Sequence, residues 1–376
     1  MKYFKLILLL LFALAGCVTE YVPDLDENEE LLVVEGLITD QPGQNTILIY
    51  KTLPIWTRDF RTELKGTRVW ITDDLGNTDT LLRLKIGTYV TDSAKFIGVP
   101  GRKYTLHFTA MVRDELHNYE SLPMEMIPVP PIDTIYYEKR NFVFNNQPAE
   151  GCQIYFDTYD PSNQCKFYRW EYDETWEYKL PFEAVENKVC WGSEKSSGIL
   201  LKNTELLNEN MVLRYPLRLI KNPVEKLWIK YSILLTQYSL NEEEYNYWEK
   251  LRNSTRQVGG LYDIIPSTIT GNIFCQEDKM EKVLGYFSVS AVKSRRVFIK
   301  DKFIGRNAIY ELCMSDALEV VTNLPDTIPG LSQTFWVIID NTDSIPPTVF
   351  LTNKRYCGDC ASRGTIVRPV FWDDDK

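Results

Sequence analysis

Cys17 closes the tetrapeptide Leu14-Ala15-Gly16-Cys17, and ahead of it stand Lys2, Lys5 and an unbroken apolar run from Leu6 to Ala15. Small residues before a cysteine fit the narrow cleavage pocket of a lipoprotein signal peptidase. The chemistry predicted here is alkylation of a thiol. Cleavage leaves Cys17 as the new N-terminus, its sulfur joined to diacylglycerol by a thioether and its amine acylated. The apolar run is too short to cross a bilayer as a helix and has the basic flank of a signal peptide, so residues 1–16 are expected to be removed. Each buried acyl methylene contributes about 0.8 kcal/mol, so two or three chains hold a protein on a membrane without a spanning helix.

Eight cysteines are present, and lipidation of Cys17 leaves seven. An exported chain meets oxidising conditions, so some of these are expected to pair, and an odd number leaves at least one thiol outside any intrachain disulfide. Cys357-Gly358-Asp359-Cys360 is compatible with zinc, thiol exchange or a disulfide. A zinc ribbon needs a second such pair, and a redox site needs the motif to open a helix after a strand; the sequence offers neither context. Cys357 and Cys360 are therefore expected to form disulfides together with Cys190 and Cys275, in a connectivity that the sequence leaves open.

The two histidines, His107 and His117, have no cysteine or carboxylate set at metal-ligand spacing around them, so both read as structural. No metal centre and no cofactor are expected. Serine-elbow, phosphate-loop and dinucleotide glycine patterns are missing, and no catalytic residue is assigned. Between Arg169 and Tyr178, the residues Trp170, Tyr172, Trp176 and Tyr178 fall at alternating positions. Such a row either forms a ligand or partner surface, stacking on sugars or peptides, or is the face of a strand packed on a core.

The elements that must position these residues are mostly strands, as the abundance of Tyr, Trp and Phe suggests. Residues 17–30, with Pro23, Asp24, Asp26, Glu27, Glu29 and Glu30, predict an extended, solvated tether. Residues 31–127 predict an immunoglobulin- or transthyretin-like sandwich. They hold a near-continuous apolar run from Leu31 to Ile38, a hairpin signal at Asp73-Asp74-Leu75-Gly76-Asn77 and an alternating strand from Lys103 to Ala110. Pro123, Pro128, Pro130 and Pro131 mark a boundary, because proline rejects ladder positions. Residues 132–376 predict a larger, fibronectin-like β domain, with a hairpin turning at Asp160-Pro161-Ser162-Asn163. A helix near 241–256 interrupts it. Asn241-Glu242-Glu243-Glu244 reads as a capping box in which Glu244 reaches back over the cap, and Tyr245, Trp248 and Leu251 recur at helical spacing. Arg252 and Arg256 suit the helix's C-terminal end, and Gly259-Gly260 its stop.

The net charge of −10 becomes −12 once Lys2 and Lys5 leave with the leader, which argues against nucleic acid and anionic surfaces as general partners. Several motifs coincide along the chain. Leu32 to Gly43 follows the tether; Tyr168 to Tyr172 and Glu174-Thr175-Trp176 lie mid-chain; Tyr247-Trp248 precedes Gly259 to Asp263 and Gly271-Asn272-Ile273. The end carries Cys357 to Cys360, Arg363-Gly364-Thr365 and Pro369 to Trp372. In these motifs the chain resembles a family of Bacteroidota outer-membrane lipoproteins catalogued as a domain of unknown function. The acidic tether likewise resembles the signal that sends such lipoproteins to the outer leaflet, and reads equally well as a plain spacer.

The resemblance implies a lipid-anchored outer-membrane protein facing the cell exterior, encoded beside TonB-dependent β-barrel receptors. It brings no catalytic residues. The function expected is non-enzymatic: an accessory protein that binds such a receptor, its oligosaccharide or peptide ligand, or both, in nutrient uptake. A surface hydrolase of glycan or peptide would instead need an open cleft with convergent acids, and a structural envelope subunit a wide apolar patch.

Overall fold

The computed structural model describes residues 31–52, 64–112, 114–144, 146–180, 182, 187–221, 225–256, 269–304, 312–313, 319–321, 336–339, 349–352 and 354–373. Cys17, its leader and the 17–30 tether lie outside these residues, as do Gly259 and Gly260. The architecture is mainly β, as expected. No described helix is long and apolar enough to cross a membrane.

Alternation builds the first sandwich. In the strand Lys103–Val112, Tyr104, Leu106, Phe108 and Ala110 are buried while their neighbours are not, the period of two that gives a sheet one dry face. This strand runs between Arg68–Asp73 and Glu115–Ser121. The hairpin expected at Asp73 to Asn77 is present, pairing Arg68–Asp73 with Thr78–Thr80, and the Asp73 carboxylate accepts the N–H groups of Leu75 and Asn77. The facing sheet takes the order Val283–Ser290, Leu32–Thr39, Thr46–Lys51, Thr88–Val90, Leu82–Lys85.

Two of these strands correct the expectation that residues 31–127 form the first sandwich unaided. Val283–Ser290 runs parallel to Leu32–Thr39 along its whole length, and Ile273–Cys275 extends the other sheet by pairing with Glu115–Ser121. Each sheet thus takes an edge from beyond residue 270, which satisfies backbone groups that a 31–127 fold would leave open. Gly285 makes the parallel pairing possible. Its φ is +87°, and a Cβ there would lie 2.0 Å from the Val34 carbonyl oxygen.

The second sandwich pairs a three-stranded sheet (Ile132–Phe144, Gln147–Tyr159, Met211–Ile220) with a sheet ordered Val189–Lys195, Phe167–Lys179, Lys230–Leu240, Val292–Ile299. The Asp160 to Asn163 turn joins no hairpin. Gln147–Tyr159 and Phe167–Lys179 lie in different sheets, and the turn carries the chain across. Asp160 shapes it by accepting the N–H groups of Ser162, Gln164 and Cys165. The hairpin partner of Gln147–Tyr159 is Ile132–Phe144.

The two sandwiches are bolted together at the proline-rich crossing. Val283–Ser290 and Val292–Ile299 are separated by Ala291 alone, so one run of chain serves both bodies. Ser239 Oγ donates to the Ile127 carbonyl at 2.5 Å and accepts the Ala291 N–H at 3.0 Å. Gln237, fully buried, donates to the Pro130 carbonyl and accepts from Trp170 Nε1, both at 2.8 Å.

Candidate functional site

A cleft of about 600 Å³ opens where the first sandwich meets the helix and the second sandwich. Its walls follow from strand alternation. In Leu32–Thr39, Val34 and Ile38 point into the core, which turns Val33, Glu35 and Leu37 onto the cleft. In Phe167–Lys179 the same rule buries Tyr168 and Trp170 and presents Arg169 and Glu171. The third wall is the helix Glu242–Arg256, through Tyr247, Trp248 and Leu251.

The helix begins as its sequence suggests. Asn241 Oδ1 accepts the Glu244 N–H at 2.8 Å, satisfying one of the free first-turn donors. Tyr245 anchors the other side by packing on Phe167, Leu201 and Leu240. The expected capping box is only half formed, and this corrects the reading of Glu244. Its carboxyl does not turn back over the cap but lies fully buried, with Trp248 Nε1 donating to Oε1 at 3.2 Å. Burial raises its pKa from the ordinary 4.5 to about 7, despite the nearby Ser288 and Arg169. The helix's last described residue is Arg256.

Arg169 is the centre of the site. It is 8 % exposed, and its guanidinium lies 4.4 Å from the Tyr238 ring and 4.6 Å from the Trp248 ring. It is paired with Glu171, which also accepts from Tyr238 Oη at 3.1 Å. Arg169 Nε is buried without a hydrogen-bond partner. Across the cleft Tyr247 packs on Tyr286 with ring centroids 4.6 Å apart, and Glu35 accepts from Tyr50 Oη. The cleft therefore offers flat aromatic faces, a fixed cation and two carboxylates, a combination suited to holding a polyhydroxylated or polar ligand by stacking and hydrogen bonds.

The aromatic row chosen from the sequence lies elsewhere. Trp170 is fully buried against Tyr168 and Phe156, and Tyr178 is buried with its Oη donating to the Cys360 carbonyl at 2.6 Å. Trp176 is 9 % exposed, and Tyr172 is half-buried against the same core. As a ligand or partner surface these four are corrected: their shared side of the strand is the inward one, and the cleft takes Arg169 and Glu171 from the other side. Of the helix residues, Trp248 was legible in the helical series Tyr245, Trp248 and Leu251, without any sign of what it faces, and Tyr247 lay outside that series.

Cys190 is bonded to Cys360 and Cys313 to Cys357. Cys275 is a free thiol, as are Cys152 and Cys165, so its place among the expected disulfides is corrected. It sits on the edge strand of the first sandwich, whereas the other four cysteines staple the C-terminal segment. Asp359, buried between the bonded cysteines, accepts from Asn187 at 2.9 Å, from the Ala361 N–H, and from Arg355 through two nitrogens. The Asn187 bond leads the contacts that hold its carboxyl below the usual range. His107 stacks on Trp70 and bonds Thr72 Oγ1 at 2.8 Å, within a strand face.

No curated protein matches this chain. Residues 18–296, well over half of the sequence, match the domain of unknown function DUF4249, and the chain belongs to that family.

Proposed function

We propose that the protein is a lipid-anchored outer-membrane accessory factor that works beside a TonB-dependent β-barrel receptor. In this role it binds an oligosaccharide, or a peptide of similar polarity, in the cleft around Arg169. The cleft carries the proposal. Tyr247, Trp248 and Tyr286 supply aromatic faces, while Arg169, Glu171 and Glu35 supply fixed hydrogen-bonding groups. The Leu14 to Cys17 motif supports the anchor, and the acidic residues 24–30 that follow it support the exterior location. Confinement to the membrane plane raises the effective concentration of a receptor, so a tight interface is not required.

Affinity purification from detergent-solubilised outer membranes tests the partnership. A β-barrel protein is expected to co-purify, and its absence would overturn the receptor role. A glycan array tests the cleft, with binding expected for the wild type and at least about tenfold weaker binding for Trp248→Ala.

Glu244 favours a second reading, a surface hydrolase, because a carboxyl with a pKa of about 7 is poised for proton transfer. Its complete burial keeps it from touching a molecule in the cleft, which ranks this reading second. Glycan hydrolysis by the wild type that Glu244→Gln abolishes would reverse the order.

A further inference from the structure

We propose that His117, Cys275, Glu277 and Glu281 form a binding site for a divalent transition metal, zinc by its donor set. None of these residues lines the cleft. The fold brings them together across more than 150 positions of sequence. Cys275 pairs with Tyr119 in the sheet, and His117 is two residues from Tyr119 on the same strand. Strand alternation therefore sets His117, Tyr119 and Cys275 on one face. Glu277 and Glu281 follow in the turn that leaves the edge strand.

Three of the donor separations match the edges of a tetrahedral site. Zinc bonds of about 2.3 Å to sulfur, 2.05 Å to nitrogen and 2.1 Å to oxygen imply tetrahedral edges of about 3.5 Å (N–S), 3.4 Å (N–O) and 3.6 Å (S–O). His117 Nδ1 lies 3.5 Å from Cys275 Sγ and 3.3 Å from Glu281 Oε2, and Cys275 Sγ lies 3.6 Å from Glu277 Oε2. The donor atoms of His117, Cys275 and Glu277 all fall within 4.8 Å of one another. A thiol, an imidazole and carboxylates select zinc or a neighbouring transition ion over calcium or magnesium, which take oxygen alone.

The ligands are held in place from behind. Asn118 donates to both Glu277 oxygens, through its backbone N–H at 2.8 Å and Nδ2 at 2.7 Å. Tyr119 Oη donates to Glu281 Oε1 at 2.7 Å, leaving Oε2 toward the histidine. Such outer partners orient metal ligands. Without a cation, burial and the Glu281 carboxylate hold the Cys275 thiol up at about 11. Coordination reverses this: Sγ gives its proton to solvent and bonds the metal as thiolate. The metal clips the edge strand Ile273–Cys275 to Glu115–Ser121, tying a late segment of the chain to an early one.

Titration of the purified full-length protein with Co²⁺ tests the site through the thiolate-to-cobalt charge-transfer absorption. One equivalent is expected to bind, to be displaced by Zn²⁺, and to give no band in Cys275→Ser. The band's absence in the wild type, or its persistence in Cys275→Ser, would overturn the proposal, since the latter result would place the metal on Cys152 or Cys165. Glu277→Gln guards against a folding defect, because this carboxylate lies at the surface. With an unchanged near-ultraviolet circular dichroism spectrum it is expected to weaken zinc binding at least about tenfold, and unchanged affinity would count against the site.

Discussion

Arg169 shows how one side chain can be both core and surface. Its guanidinium lies against the rings of Tyr238 and Trp248, and a cation–ring contact shielded from water contributes about 2 kcal/mol. Lysine cannot replace it, since a compact ammonium lacks the planar face that two rings can sandwich. Glu244, close by, gives the sharpest prediction for a single residue. Its folded-state pKa of about 7 stands above the ordinary 4.5, so the folded protein keeps a proton that the unfolded chain releases. Stability therefore falls as pH rises from about 4.5 to 7 and stays low above that, by roughly 3 kcal/mol in total. Glu244→Gln preserves the Trp248 bond and removes the titration. Urea unfolding of this variant is expected to be nearly the same at pH 5 and pH 8 and, at pH 8, to exceed the wild type in stability. An unchanged pH dependence would assign the effect to another group.

Among the elements, the crossing from one sandwich to the other is the most exposed to a single substitution. Gln237→Leu removes the donor to the Pro130 carbonyl and the acceptor for Trp170 Nε1 while keeping bulk. Two buried polar groups lose their partners, so a loss of about 2–4 kcal/mol is expected in chemical denaturation. A loss below about 1 kcal/mol would mean that the crossing is not a structural joint. Local patterns made much of this architecture legible. Alternation in Lys103–Val112, the Asp73 to Asn77 turn and the Asn241 cap are all written in short stretches. Partner choice is not. Nothing near Val283 or Leu32 encodes their parallel pairing, because both strands are mostly apolar and read equally well as any buried strand. The aromatic row stayed open between ligand surface and core face for the same reason: alternation reveals that two faces differ, not which is wet. Trp170 takes the core-face alternative, and the charged residues beside it, Arg169 and Glu171, reach the cleft.

The whole molecule depends on its covalent staples at the C-terminal end. Cys190–Cys360 and Cys313–Cys357 close spans of 170 and 44 residues. In the chain-entropy account these limit the unfolded state by about 5 and 4 kcal/mol. Reduction under native conditions is expected to lower the melting temperature and to make the segment from Lys354 onward the first site of proteolysis. Equal melting with and without reductant would show that the reduced chain keeps the same constraint by packing alone. Sequence alone pointed to Cys190, Cys357 and Cys360 as bonded, and wrongly to Cys275. It missed Cys313, which carries no motif, and it missed the proximity of Cys275 to His117, which exists only because a late strand joins an early sheet.

That late strand also sets a timetable. A chain made from its N-terminus exposes Leu32–Thr39 and Glu115–Ser121 as bare edges until residues 273–290 have emerged, so the first sandwich cannot close while most of the polypeptide is still being synthesised. Contacts this distant in sequence fold slowly, and open edges invite association in the interval. A fragment ending at residue 131 is expected to aggregate when expressed, and a synthetic peptide of residues 270–292 supplied in trans to restore it to solution. The interval in which a holding chaperone would help is thus expected to close only once residues 273–290 have joined the early strands.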